Sequence, residues 1–264
     1  MTFFVTDLDK TLIFSKRFVN NEDVEVIEYK DNQELSYMTK TALNTLKSIN
    51  EKITIIPITS RSLEQYKRID FNINFKYAIL SNGGTILYNG IIDNEWKEII
   101  KKEFNKMNLT NVEALLHNSS SLFENFYELK DDSYYYARVK ENQEFVVLKL
   151  LKPFLGKDWN CFIQDNKLYV MPKFVTKENA LKYLIEKYNL DLSDSFGAGD
   201  GKQDEKFLNL ITNRISFKDS ELWDSLSNSD KYNYSVWPLG LKGSEDMLKT
   251  IKGLIQWIQK QLKN

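Results

Sequence analysis

The 264 residues include one cysteine, Cys161, and one histidine, His117. A lone cysteine forms no internal disulfide, and within the strand-like run WNCFIQ it reads as a small packing residue rather than a nucleophile. A lone histidine argues against a histidine metal cluster and against a histidine-based catalytic triad. No stretch approaches 18 uncharged apolar residues, so no membrane-spanning helix is expected. The opening MTFFVTDLDK has neither a basic n-region nor an apolar segment long enough for export, which predicts a cytoplasmic protein. An excess of one charge is missing too. The chain has 36 basic and 37 acidic residues, net charge −1, and so no overall field for a nucleic-acid backbone. Catalysis would fall to carboxylates, hydroxyls, amides and lysine.

What is present is an ordinary globular composition, 42% hydrophobic with a mean hydropathy of −0.45. The length suits one elaborate domain or two smaller ones. TFFVTD reads as a strand, VEVIEY and ELSYM as a hairpin, and Thr39 as the N-cap of the helix KTALNTLKSINEK. ITIIPIT suits a strand buried on both faces; SLEQYKRI reads as a short helix and KYAILSNGG as a third strand. Strands alternating with helices predict a parallel sheet.

From Thr85 the rhythm changes. ILYNGIID, the helical EFNKMNLTNVEALLHNSS, the strand YYYARV, the helical EFVVLKLLKPF and a hairpin NCFIQ/LYVMP turning at Asp165-Asn166 read as an inserted second domain. Among the consecutive tyrosines, alternation lets Tyr134 and Tyr136 share a face, and sheet packing is favoured over ligand stacking. The α/β rhythm resumes with the helix KENALKYLIEKYNL, the strand DSFGA, a glycine turn opening the helix in GDGKQDEKFLNLI, and a fifth strand NRISF. SEDMLKTIKGLIQWIQKQL closes the chain as an amphipathic helix with Ser244 as N-cap.

DLDKT, residues 7–11, places Asp7 and Asp9 two positions apart at the end of the first strand. Residues i and i+2 of a strand share a face, so the two carboxylates can converge. They persist ionised only beside a cation or where one holds a proton, and a hard divalent ion such as Mg2+ meets that need. The alternative is a strand ending in a polar turn. Further features fall at predicted strand ends, where open α/β sheets bind ligands: Thr59-Ser60, Ser81-Asn82-Gly83-Gly84, and Gly199-Asp200-Gly201-Lys202-Gln203-Asp204.

The set DLDKT, PITS, the lysine of FVTKENAL and GDGKQD resembles the four motifs of the haloacid dehalogenase (HAD) superfamily. SNGG and the insertion after the third strand resemble its Cof-like, sugar-phosphatase branch. The resemblance implies a Rossmann-like parallel-sheet core over 1–84 and 172–264, and an inserted mixed α/β cap over 85–171. It implies Asp7 as nucleophile and Asp9 as general acid/base, a division that suits phosphoryl transfer. Asp7, the backbone carbonyl of Asp9, Asp200 and Asp204 would hold Mg2+. Leu8, Thr59, Ser60, Asn82, Lys177 and Gln203 would meet the phosphate or substrate.

Read without the resemblance, Thr59 is a helix cap, Asp204 a first-turn acid and Lys177 a surface lysine. Arg61 is read as a helix-start residue, because Ser60 stands where relatives carry glycine. Lys10 replaces a common glycine, and Gln203 the asparagine usual before the last aspartate. The expected activity is a Mg2+-dependent phosphatase acting on a small phosphorylated metabolite, possibly a sugar phosphate; the alternatives are a phosphomutase and a catalytically idle binding protein.

Overall fold

The computed structural model describes residues 2–107, 109–164 and 166–261. A parallel sheet runs in the order Tyr234–Pro238, Asn213–Lys218, Phe196–Ala198, Phe3–Thr6, Thr54–Pro57. A parallel bridge between Ile58 and Ile79 carries it on to the strand Tyr77–Leu80. Phe3, Phe4, Val5, Ile55 and Ile56 are buried, as near-continuous apolar strands require when both sheet faces are covered. One face packs on Lys177–Tyr188 through Ala180, Leu181 and Leu184. The other packs on Lys40–Asn50 and Leu241–Gln261 through Leu46, Ile49, Leu248 and Ile251.

Thr39 caps the first of these helices as expected, its hydroxyl accepting from the Ala42 amide at 3.0 Å and donating to Glu245 at 2.7 Å. Ser244 is not an N-cap. The last helix begins three residues earlier, after Gly240 at φ +126°, and Ser244 lies inside it with its hydroxyl buried. The edge strand Tyr234–Pro238 was not anticipated; its side chains are half-buried at best and carry little periodic signal.

The insertion builds a four-stranded antiparallel sheet, ordered Trp159–Gln164, Lys167–Pro172, Tyr134–Arg138, Glu128–Lys130. Asp165 of the expected hairpin turn lies outside the described residues, whereas Asn166 adopts φ +59°. Behind the sheet, Val112 and Leu116 of Leu109–Asn118 and Val147 and Leu151 of Glu144–Leu151 enclose Tyr135, Leu168 and Val170. The helix read over 103–120 is two: Asn94–Asn105 ends before Leu109–Asn118 starts.

Thr85–Tyr88 pairs antiparallel with Tyr77–Leu80 and with Ile91–Ile92. Asn94–Asn105 joins the two units, burying Trp96 and Ile100 against the core cluster and Phe104 in the cap cluster. A cap turn also grips the core: Asp131 accepts hydrogen bonds from the Leu63 amide at 2.9 Å and from the Ser81 hydroxyl.

The loop Ser81–Gly83 presses on the start of the helix that carries Lys177. Gly83 sits at φ +102°, and a Cβ there would lie 2.2 Å from the Thr176 carbonyl oxygen. Gly83→Ala is therefore expected to destabilise the protein by about 2 kcal/mol or more, from left-handed strain plus a clash with rigid backbone. Urea unfolding measures it, and parental stability would refute the close approach.

Candidate active site

The candidate residues gather at the carboxyl ends of the parallel strands. The register pairs Thr6 with Ala198, and the Asp7 amide donates to the Ala198 carbonyl at 2.9 Å, which brings Asp7 beside the Gly199-Asp200 turn. Asp204 closes the group from the turn Lys202–Asp204, its Oδ2 accepting from the Gly201 amide at 2.9 Å. Gly199 is required here, because a Cβ would fall 2.6 Å from that of Asp204. Oxygens of Asp7, Asp200 and Asp204, all three residues buried, lie within 4.8 Å of one another.

Lys177 opens its helix under the Thr176 cap, which accepts from the Asn179 amide at 3.1 Å. A cation at a helix N-terminus opposes the helix dipole, and this one is only 6% exposed. The carboxylates explain it: Nζ donates to Asp7 Oδ1 and Asp204 Oδ1, each at 2.7 Å. Burial works against the charge of Lys177, but Asp204 and Asp7 outweigh it and hold its pKa above the ordinary value. Asp7 is pushed upward, first by desolvation and then by Asp204 against the opposing pull of Lys177. Asp200 is likewise raised, by desolvation and then by Asp7 and Asp204. Asp7 and Asp204 share the Lys177 ammonium while Asp200 accepts from the Thr11 hydroxyl at 3.3 Å, and an all-oxygen donor set of this kind fits a hard divalent ion.

Asp9 leaves this cluster. The strand ends at Thr6, and a tight turn rather than strand alternation places Asp9: Leu12 and Ile13 both donate to the Leu8 carbonyl at 2.9 Å, and Lys10 takes φ +59°. A left-handed position is one that glycine takes most easily. The Leu8 side chain is fully buried, so only its backbone can face a ligand. The Asp9 carboxylate receives both arms of Arg61, Nε to Oδ2 at 2.7 Å and Nη2 to Oδ1 at 2.8 Å. Desolvation raises the Asp9 pKa, but the charge and hydrogen bonds of Arg61 reverse that and hold it below the ordinary range.

Arg61 is thus a site residue and not merely a helix-start residue. It continues to Glu28 at 2.8 Å, and Arg68 reaches Glu28 from the other side at 3.1 Å. Glu28 is buried although it belongs to a hairpin strand, because the pairing of Val24–Lys30 with Gln33–Thr39 shifts register at Val26/Glu28 and again at Glu28/Tyr29. Two successive apolar residues, Val26-Ile27, interrupt the alternation in VEVIEY and carry that signal in the sequence.

Asp7, Asp9, Ser60, Asn82, Lys177, Asp200, Gln203 and Asp204 line one crevice of about 530 Å3, roofed by the cap residues Tyr134, Tyr136 and Tyr169. Tyr134 and Tyr136 face it, while Tyr135 points into the cap core. The amide oxygen and nitrogen of Asn82 are buried with no partner among the described residues, at φ +54°. Buried polar atoms left in this way need a ligand or water. Thr59 is fully buried and does not line the crevice; its hydroxyl accepts from the Arg61 amide at 3.2 Å. Burial pushes the Cys161 thiol up to about 11, as befits a packing residue.

A parallel sheet carrying this site under an inserted antiparallel cap defines the phosphatase class of the HAD superfamily. The chain belongs to the family described as sucrose-6F-phosphate phosphohydrolase, whose model matches residues 1–222. The sucrose-phosphatase of Synechocystis sp. PCC6803, solved with sucrose and phosphate, superposes with a TM-score of 0.66 at 11% identity over 95% of this chain and 96% of that one. A haloacid dehalogenase-like hydrolase from Bacteroides thetaiotaomicron gives 0.58 at 14% identity over 95% and 99%. These likenesses concern the fold. A Streptococcus pyogenes serotype M6 protein named "Putative phosphatase M6_Spy0533" is 40% identical over 48 residues, 18% of this chain and 18% of its own length.

Glu28→Ala leaves Arg61 and Arg68 without their shared counter-charge in a largely buried setting. It is expected to lower the unfolding free energy by about 3 kcal/mol, as measured by urea titration. A loss below about 0.5 kcal/mol, the scale of a solvated surface pair, would show that the network contributes little.

Proposed function

We propose that the protein is a Mg2+-dependent phosphatase that hydrolyses a small phosphorylated metabolite of the sugar-phosphate class through a phosphoryl group carried on Asp7. The observation that carries this reading is the convergence of Asp7, Asp200 and Asp204 with Lys177, with Asp9 held separately beside them. Asp7, Asp200, Asp204 and the backbone carbonyl of Asp9 would hold Mg2+. When bound, it supplies the positive charge that lets an anionic carboxylate approach an anionic phosphate.

Asp7 attacks phosphorus and the ester P–O bond breaks, with Asp9 delivering a proton to the departing oxygen. Asp9 then takes a proton from water, which attacks the aspartyl phosphate, frees inorganic phosphate and restores Asp7. Because Arg61 holds both oxygens of Asp9, it has to release one before that carboxyl can carry the proton. Lys177, the Ser60 amide and the unpartnered Asn82 amide hold the phosphoryl oxygens, with Leu8 and Gln203 beside them and Thr59 fixing the Ser60-Arg61 turn.

The cap excludes macromolecules and offers the half-buried Tyr136 ring to a sugar, with Tyr134 and Tyr169 buried in the crevice wall. A cytoplasmic setting belongs to this proposal because phosphorylated metabolites do not cross membranes unaided; among the described residues no helix is long and apolar enough to span one. A purely binding role is disfavoured, since it has no need of Asp9.

Removal of metal with EDTA is expected to abolish phosphate release and Mg2+ to restore it, with Ca2+ a poor substitute because of its larger, looser shell. Mg2+ should also raise the melting temperature by relieving the carboxylate repulsion. Full activity in excess chelator would overturn the metal assignment. Asp7→Asn should reduce turnover of an aryl phosphate to background. Asp9→Asn keeps the nucleophile but loses the base, so phosphate should accumulate on the peptide holding Asp7, visible as added mass on the intact protein. Wild-type rates in both variants would exclude the two-carboxylate mechanism.

A further inference from the structure

The charges around the crevice are unevenly supplied by the two halves of the protein. Eight lysine and arginine side chains line it against five carboxylates among the described residues, an excess of three positive charges in a chain whose net charge is −1. The core contributes all five acids, and its deeper cations are matched: Lys177 by Asp7 and Asp204, Arg61 and Arg68 by Asp9 and Glu28. The cap contributes Lys130, Arg138 and Lys167, and no acid.

The cap sheet places these three by register. Arg138 stands directly opposite Lys167, and Tyr134 opposite Lys130. Residues 134, 136 and 138 share one face by strand alternation, the face whose tyrosines roof the crevice. Lys167 makes no ion pair among the described residues, and its charge bears on Asp9. Arg138 meets Glu124 at 3.4 Å with both side chains nearly half exposed, and Lys130 meets the exposed Glu128. Such solvated pairs contribute little and exchange readily for a ligand anion. A phosphate dianion at Asp7, with one divalent cation beside it, would add no net charge, leaving Lys167 without a counter-charge among the described residues and Arg138 and Lys130 with exchangeable ones.

We propose that the leaving group of the substrate carries a second anionic group, a carboxylate or a phosphate, bound by Lys167, Arg138 and Lys130 on the crevice face of the cap sheet. The proposal rests on the phosphatase reading for its first anion and narrows the substrate to doubly anionic sugar derivatives. It sets the protein apart from an enzyme whose leaving group is a neutral sugar.

Two matched pairs test it: glucose 6-phosphate against 6-phosphogluconate, and fructose 6-phosphate against fructose 1,6-bisphosphate. The anionic member of at least one pair should have kcat/KM higher by about tenfold, the scale of one charged hydrogen bond. Preference in the first pair identifies a carboxylate, and in the second a phosphate. Lys130→Ala and Arg138→Ala should erase the preference while p-nitrophenyl phosphate turnover stays within about twofold, and Lys167→Arg, which keeps the charge beside Asp9, should retain it. Equal kcat/KM within both pairs, or variants that slow neutral and anionic esters alike, would overturn the proposal. Calorimetric titration of Asp7→Asn with the same four compounds in Mg2+ reads the preference without turnover. If wild type released phosphate from no ester, the hydrolase reading would fail, and this titration would still decide whether the cap binds a second anion.

Discussion

Crowding of buried carboxylates is the constraint on which the rest of the structure depends. Asp7, Asp200 and Asp204 bring three oxygens within 4.8 Å in a place where burial already disfavours charge. Such a cluster survives only if backbone and counter-charge are arranged around it. The parallel register brings the ends of Phe3–Thr6 and Phe196–Ala198 together, Gly199 leaves space for Asp204, and Gly83 lets the Ser81–Gly83 loop press on the helix that delivers Lys177. Around the cluster, several residues break local preferences that a merely stable fold would satisfy.

Those violations are informative because they coincide. Lys177 opposes a helix dipole, Lys10 and Asn82 occupy left-handed backbone, Glu28 is a buried acid on a hairpin, and the Asn82 amide is buried without a partner. Local conflicts gathered in one crevice mark a functional site more firmly than any one of them does. The Asp9–Arg61–Glu28–Arg68 chain extends the site into the hairpin Val24–Thr39, so the hairpin's bulge positions the residue beside Asp9 as well as shaping the sheet. On the opposite side, Asp131 fastens the cap to the loop that holds Asn82.

Much of this was legible beforehand. Apolar runs such as ITIIPIT and the N-cap at Thr39 are local signals, and the strands and helices around the site fell close to where periodicity placed them. The misses have local reasons as well. Tyr234–Pro238 is an edge strand with weak alternation, and the helix at Leu241 starts from a glycine turn rather than from the hydroxyl of Ser244. Arg61 was set aside because its neighbour departs from the family pattern, although a serine before it changes nothing about where the guanidinium can reach. The partner that makes Arg61 matter, Glu28, is 33 residues away in sequence and is aimed by a bulge.

The sequence by itself determined the order of chemical groups along the chain: carboxylates after the first strand, hydroxyls after the next, a lysine opening a helix, and two more carboxylates after a glycine turn. Those are properties of local spacing, and strand ends in an open α/β sheet share one edge whatever the loops do. Only the tertiary structure decided how charge is divided. Which acid stands with Lys177 and which with Arg61, and that the cap turns cations without acids toward the crevice, depend on register, burial and long-range pairing. Coulomb energies follow distance and dielectric, and folding is what fixes the one and lowers the other.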